Sequence, residues 1–331
     1  MFTKADYEAR CRLAHGIPNF IGIGAPKAGT TWLSRCLSEH PDVYMAPIKE
    51  TEFFKFGDCF SRLHEYSKYF AGANGEHAVG EFTVRYLAME KVPERIAMSI
   101  PDVKILVSLR NPIEQVQSWY WHLKKQNQFD SPGTRNDVSL EGAIDGFSEL
   151  LLGHAFYGRH LEKWFCHFDR RQVMVILYDD ICAAPNAVLR ELFQFLDVDA
   201  QFEPASAYSR DAGVRRGTSP RNRVSGALHR SCYRLLNQVY APLKRSLGTA
   251  RAAALKDRLR VRQTLETLFQ KPGYVAMSAQ TRSKLVDIFA SDVEALSRVI
   301  DRDLSDWLDE PKQVPRSARS EVASGRTRWP H

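Results

Sequence analysis

Residues 24–31 read GAPKAGTT and carry the ingredients for holding an anion. Gly24 and Gly29 let backbone N–H groups approach a ligand, Lys27 adds a full positive charge, and Thr30 and Thr31 add hydroxyls. The spacing of the glycines is that of a Walker A loop, G-x-x-x-x-G-K-[ST], but the lysine stands inside the loop instead of after the second glycine. The usual arrangement for a magnesium nucleoside triphosphate is therefore missing, while the chemistry of phosphate binding survives.

A second anion site is suggested by residues 107–120, VSLRNPIEQVQSWY. Arg110 follows an apolar run, and Ser118 comes eight residues later. An arginine there either forks onto a phosphate, with the serine donating a further bond, or caps its own turn. Between Arg210 and Arg262 fourteen Lys and Arg stand against two Asp, although the whole chain carries only +7. A local excess of that size fits an anionic partner or an arginine-rich helical surface.

The elements that must position these residues are legible in the pattern. Residues 19–24 form an apolar run before a loop, hence a buried strand. Residues 30–40 place Trp32, Leu33, Cys36 and Leu37 at helical spacing. Residues 78–82, 103–109 and 173–178 are further strands; the second of these is apolar on both faces, as a parallel strand should be. Residues 49–55 read as a short strand or loop. Asn111-Pro112 opens a helix to about residue 128. Residues 129–139 form a polar loop, 140–168 are mainly helical, 185–196 form another helix, and 224–307 are mostly helical patterns. The order predicts an α/β fold: a P-loop-like three-layer α/β/α with a central, mostly parallel sheet and helical C-terminal additions. Ligands of such folds bind at the carboxyl ends of the strands.

Composition narrows the class. With 44% hydrophobic and 26% charged residues, the 331-residue chain is globular. No apolar run reaches the roughly 18 residues of a membrane span, and the first sixteen residues lack a secretory apolar core. Cysteines at 11, 36, 59, 166, 182 and 232 form no C-x-x-C pair, and the ten histidines show no ligand spacing. These features predict reduced thiols, a cytoplasmic setting and no metal site. The organisation expected is an extension over residues 1–17, one domain over 18–309, and a disordered tail over 310–331.

Taken together, the motifs resemble those of the sulfotransferases that use 3'-phosphoadenosine 5'-phosphosulfate (PAPS). Residues 26–33, PKAGTTWL, are similar to the family's 5'-phosphosulfate loop, and Leu109-Arg110-Asn111-Pro112 with Ser118 to its 3'-phosphate site. Lys49-Glu50-x-x-Phe53-Phe54 resembles a segment of the heparan-sulfate-type branch. Gly80-Glu81, residues 157–164 (YGRHLEKW) and residues 302–307 resemble bacterial members. The resemblance implies the same fold, transfer of a sulfuryl group from PAPS to a hydroxyl or amine of a glycan, lipid or small metabolite, release of PAP, and no required metal. It assigns catalysis to Lys27, Glu50 and Lys49, with Glu50 as general base. Cofactor binding falls to Lys27, Ala28, Gly29, Thr30, Thr31, Trp32 (packing on adenine), Arg110, Ser118 and, in a third segment, Arg215, Arg216 and Gly217. Ser219-Pro220-Arg221 competes for that third role. Glu81 is the rival base, and Glu81, Arg85, His122 and Tyr157 are candidates for the acceptor side. At 82 and 84 the chain has Phe and Val where the family commonly has Lys and Pro. Aromatics at 53, 54, 56, 119, 120, 121 and 129 are expected to line the acceptor site.

Two other classes are weighed. A P-loop kinase would use residues 173–180, VMVILYDD, as a Walker B strand ending in acids. A nucleic-acid binder would use the basic stretch 210–262, but aromatics are sparse there and no known module appears, so no nucleic-acid partner is expected.

Overall fold

Parallel strands flanked by helices on both faces form the centre of the molecule. In the computed structural model the described residues are 16–129, 138–208 and 274–309, with the isolated pieces 218–220, 228, 232 and 270–272. The expected extension (except Gly16 and Ile17), most of the basic stretch, the tail and the residues Arg215, Arg216 and Gly217 lie outside them.

In chain order the elements are β1 (Phe20–Gly24), α1 (Thr30–Glu39), β2 (Val43–Met45), α2 (Leu63–Ser67), β3 (Ala78–Phe82), α3 (Val92–Ser99), β4 (Lys104–Leu109) and α4 (Pro112–Lys125). Then come α5 (Leu140–Gly146), α6 (Ser148–Leu152), α7 (Tyr157–Phe165), β5 (Val173–Leu177), α8 (Tyr178–Ala183), α9 (Pro185–Phe195) and α10 (Ala279–Ile300). Two short strands, Thr218–Pro220 and Gln270–Pro272, pair antiparallel. The main sheet has the order β2-β3-β1-β4-β5, all parallel. The expected strands appear where the apolar runs stand. The segment around 49–55 is a loop with one tight helical turn, Phe53–Lys55, and β2 is a strand the pattern did not disclose.

The sheet sorts its side chains by alternation. Phe20, Phe82, Leu106 and Ile176 face one layer, made by Trp32, Leu33, Cys36 and Leu37 of α1 and Val188, Leu189, Leu192 and Phe193 of α9. Ile21, Ile23, Ile105 and Val107 face the other, with α4, α7 and α10. Each fully buried side chain of this size stabilises the fold by about 1.5–3 kcal/mol relative to exposure. Gly22 is required by packing: a Cβ there would sit 2.1 Å from the Phe82 ring.

The helix after β1 therefore covers one face and the helix after β4 the other, although β1 and β4 are neighbours. That reversal opens a crevice at their carboxyl ends, where this class of sheet binds ligands. α10 closes the second layer. The Asp292 carboxylate accepts the N–H groups of Gly158 (2.9 Å) and Arg159 (3.0 Å), capping α7 with a negative charge at its N-terminus.

Candidate active site

The loop between β1 and α1 is shaped from beneath. Ala25 N–H donates to the Ser108 carbonyl (2.7 Å), Gln115 Nε2 donates to the Pro26 carbonyl (3.1 Å), and the Ser108 hydroxyl donates to the Ala28 carbonyl. Gly29 is the N-cap of α1 at φ 89°, a left-handed conformation suited to glycine, and the Tyr178 ring would lie 3.1 Å from any Cβ there. No side chain caps α1 and its first turn holds no acid, so a ten-residue helix presents its positive end to the crevice. Lys27 sits in the loop at φ 66°. Backbone held in that region is stored strain of the kind found at binding sites.

The loop after β2 supplies the reactive pair. It runs on beside β3: Ala46 N–H donates to the Gly80 carbonyl and Glu50 N–H to the Phe82 carbonyl, each at 2.8 Å. Lys49 Nζ then reaches across to Thr31 Oγ1 (3.2 Å) and stands 3.9 Å from Glu50 Oε1. Glu50, also at φ 66°, has its Oε2 fixed by the Val84 N–H at 2.9 Å. Burial raises the Glu50 carboxyl above its ordinary range, opposed by the Lys49 charge; burial likewise lowers the Lys49 ammonium. One carboxylate oxygen is thus anchored to the backbone and the other faces a lysine that touches the phosphate loop. Arg85 pairs with Glu52 (3.5 Å) at the edge of this group.

Glu81 plays a different part from the one expected of it on the acceptor side. It is fully buried, and its oxygens accept the hydroxyls of Thr51 (2.8 Å), Tyr66 (3.0 Å) and Thr83 (2.7 Å). Desolvation raises its pKa to about 7. With three hydroxyls of its own chain on it and no exposure, it cannot meet an acceptor; it holds Thr51, the neighbour of Glu50. Tyr157 is a second correction, since it is completely buried in the core. Most aromatics expected to line an acceptor site are core too. Phe53 stacks on Tyr66 (4.5 Å), Phe54 packs edge-on against it (5.0 Å), and Tyr120 packs on Phe129 (5.6 Å); only Phe56 of that set is largely exposed. His122 stacks on Trp119 at 5.0 Å and bonds to Gln126. Trp32 packs in the layer between α1 and the sheet, its Nε1 donating to the Ser206 carbonyl at 3.2 Å.

At the end of β4, Arg110 donates twice to Glu114 Oε2 (2.6 and 3.1 Å) and lies over the Tyr178 ring at 4.7 Å. Ser118 Oγ shares a hydrogen bond with the Tyr274 hydroxyl (2.8 Å), and the Tyr274 ring lies parallel to Trp121. Tyr274 and Tyr178 are contacts the sequence reading did not find; the one signal for Tyr178 was its place at a strand end. The two acids of the would-be Walker B strand are committed elsewhere: Asp179 accepts from Trp307 Nε1 (2.8 Å) and Asp180 from Arg302 (3.1 and 3.2 Å).

Several known proteins are similar to this chain. A family profile for the sulfotransferase domain matches residues 18–213, more than half of the chain. The bifunctional heparan sulfate N-deacetylase/N-sulfotransferase 1 of Caenorhabditis elegans is 27% identical over 210 residues, covering 60% of this chain and 24% of that protein. Its counterpart in Caenorhabditis briggsae is 25% identical over 317 residues, 90% of this chain and 32% of that one. The chain thus spans about a quarter to a third of these relatives. Among solved structures, the sulfotransferase from Alicyclobacillus acidocaldarius is 26% identical with a TM-score of 0.59, covering 89% of this chain and all of that one. With the phosphate loop, the Lys-Glu pair and the Arg110 site gathered at one crevice of a parallel sheet, and with the profile spanning β1 to beyond α9, the chain belongs to the sulfotransferase family.

Proposed function

We propose that this sulfotransferase takes its sulfuryl group from PAPS and passes it to a hydroxyl or amine of a glycan, lipid or small metabolite. The observation that carries the reading is Lys49, which joins the phosphate loop at Thr31 to the carboxylate of Glu50. The residues present fit a nucleotide with phosphates at both ends. The uncapped N-terminus of α1 with Lys27 suits a 5'-phosphate, and Arg110 with Ser118 and Tyr274, across the crevice, suits a 3'-phosphate. When bound, PAPS supplies an electrophilic sulfur and a phosphate leaving group. Lys27 and the N–H groups of Gly29, Thr30 and Thr31 stabilise negative charge that develops at the loop. Glu50, fixed by Val84 and partly desolvated, takes the proton of the acceptor hydroxyl or amine. Lys49 holds the base against the loop and keeps part of its population ionised. A cytoplasmic setting belongs to the same proposal; it is supported by cysteines that are free among the described residues and is checked by fractionation.

The test is calorimetry with PAP in the presence of EDTA, followed by incubation with radiolabelled PAPS and candidate acceptors. Binding of PAP without metal and label in an acceptor are the expected results. No heat with PAP alongside heat with magnesium ATP would move the chain to phosphoryl transfer.

A further inference from the structure

The segment after α10 returns to the neighbourhood of Arg110, touching Asn111, which follows it, and Asp179 and Asp180, which follow Tyr178. Asn111, the next residue along from Arg110, uses both ends of its amide: Oδ1 accepts the Ile113 N–H (2.9 Å) to cap α4, and Nδ2 donates to the Trp307 carbonyl (2.8 Å). The Trp307 indole, almost wholly buried, donates from Nε1 to Asp179 (2.8 Å). Arg302 forks onto Asp180. Asp179 and Asp180 directly follow Tyr178, whose ring lies under the Arg110 guanidinium and against Gly29 of the phosphate loop. Trp307 therefore joins, through its main chain and its side chain, the two segments that enclose Arg110. They are about 70 residues apart in sequence, at 111 and 179, and Trp307 stands on a single helical turn, Ser305–Trp307.

We infer that Trp307, with Asp179, is a positioning residue for the 3'-phosphate site: it sets the spacing between the Arg110 loop and the Tyr178 ring, and so selects nucleotides that carry a 3'-phosphate. The inference rests on the PAPS reading above. Arg110 stands just past the end of its strand at Leu109, and its side chain rests on the Tyr178 ring and the half-exposed Glu114, so its place depends on how the Tyr178 segment is held. A guanidinium binds a phosphate well only when its plane is fixed beforehand, and a shift of about 1 Å weakens such a contact severely. The 5'-phosphate loop has supports besides the Tyr178 ring: the Ser108 hydroxyl and the Gln115 amide bond to its carbonyls. Loss of the Trp307 contact should therefore act chiefly on the 3'-phosphate.

The test compares the affinities of the full chain for PAP and for AMP, which lacks the 3'-phosphate, by calorimetry. The variants are Trp307→Phe, which keeps the ring and loses the N–H donor, Asp179→Ala, and Asp179→Asn, which keeps an acceptor for the indole. Trp307→Phe and Asp179→Ala should each weaken PAP binding by about five- to tenfold, the scale of a positioning contact, and leave AMP binding within about twofold. Asp179→Asn should restore the wild-type ratio. An unchanged ratio of PAP to AMP affinity in both Trp307→Phe and Asp179→Ala overturns the inference, as does an equal loss for both nucleotides. If Trp307→Phe does not fold, the Asp179 pair decides by the same criteria. A wild-type chain that does not distinguish PAP from AMP refutes instead the assignment of Arg110 to a 3'-phosphate.

Discussion

Glu81 gives the most direct measure of how this site is built. Its carboxyl lies fully buried among Thr51, Tyr66 and Thr83, and desolvation raises its pKa from 4.5 to about 7. The folded state thus binds the proton more tightly than the unfolded chain. The stabilisation is complete below about pH 4.5, is lost as pH rises through about 7, and changes no further above that. At 1.36 kcal/mol per pH unit, the interval is worth about 3 kcal/mol. Glu81→Gln keeps the shape and one acceptor oxygen but does not titrate. The difference in unfolding free energy between the two proteins should accordingly shift by about 3 kcal/mol in favour of the variant between pH 4.5 and pH 8. Urea unfolding at a series of pH values, read by circular dichroism, measures it. A constant difference across that range, or one that favours the wild type as pH rises, would show that Glu81 is ionised throughout in the fold and would refute burial as the dominant effect.

Three further outcomes are expected. Lys27→Ala should lower kcat by about 10²-fold or more, as a lost charge-stabilising contact does, whereas Arg110→Ala should chiefly weaken PAPS binding, by about 1.5–3 kcal/mol; wild-type kinetics in both would make the loops structural. Glu50→Gln should abolish transfer with PAP affinity within a few-fold. In the wild type the acidic limb of the rate profile should lie above the ordinary carboxylate range, because the Glu50 pKa is raised by burial and activity falls as the base is protonated; transfer that persists in Glu50→Gln returns the base to another group. Glu114→Gln removes the carboxylate that occupies two donors of Arg110, so PAP should bind about two- to fivefold tighter at low salt; weaker binding in calorimetry would mean that Glu114 orients Arg110 instead of competing for it.

Much of this protein could be read without coordinates, and the reason is local. The run at Phe20–Gly24, the glycines at 24 and 29, Lys27 and the helix that follows form one continuous stretch, so the whole motif can be read from consecutive residues. The same holds for Leu109-Arg110-Asn111-Pro112, where strand end, cap and helix start are consecutive. What only the tertiary structure decided concerns groups whose partners lie far away in sequence. Glu50 and Glu81 look alike in the chain. One stands on a loop whose carboxylate meets Val84 and Lys49, the other on an inner strand where Thr51 and Tyr66 close over it. Burial, which separates an accessible base from a buried anchor, is a property of packing. The paired phenylalanines at 53 and 54 suggested an acceptor wall, yet they fill the space beside Tyr66, because a hydrophobic ring is stabilised wherever it leaves water. Asp179 and Asp180 suggested the acids of a Walker B strand, but the return of the chain after α10 gave them Trp307 and Arg302. Ser118 met Tyr274 across 156 residues. Motif order and local geometry belong to the sequence alone; exposure, and the choice among chemically equivalent side chains, came only with the fold.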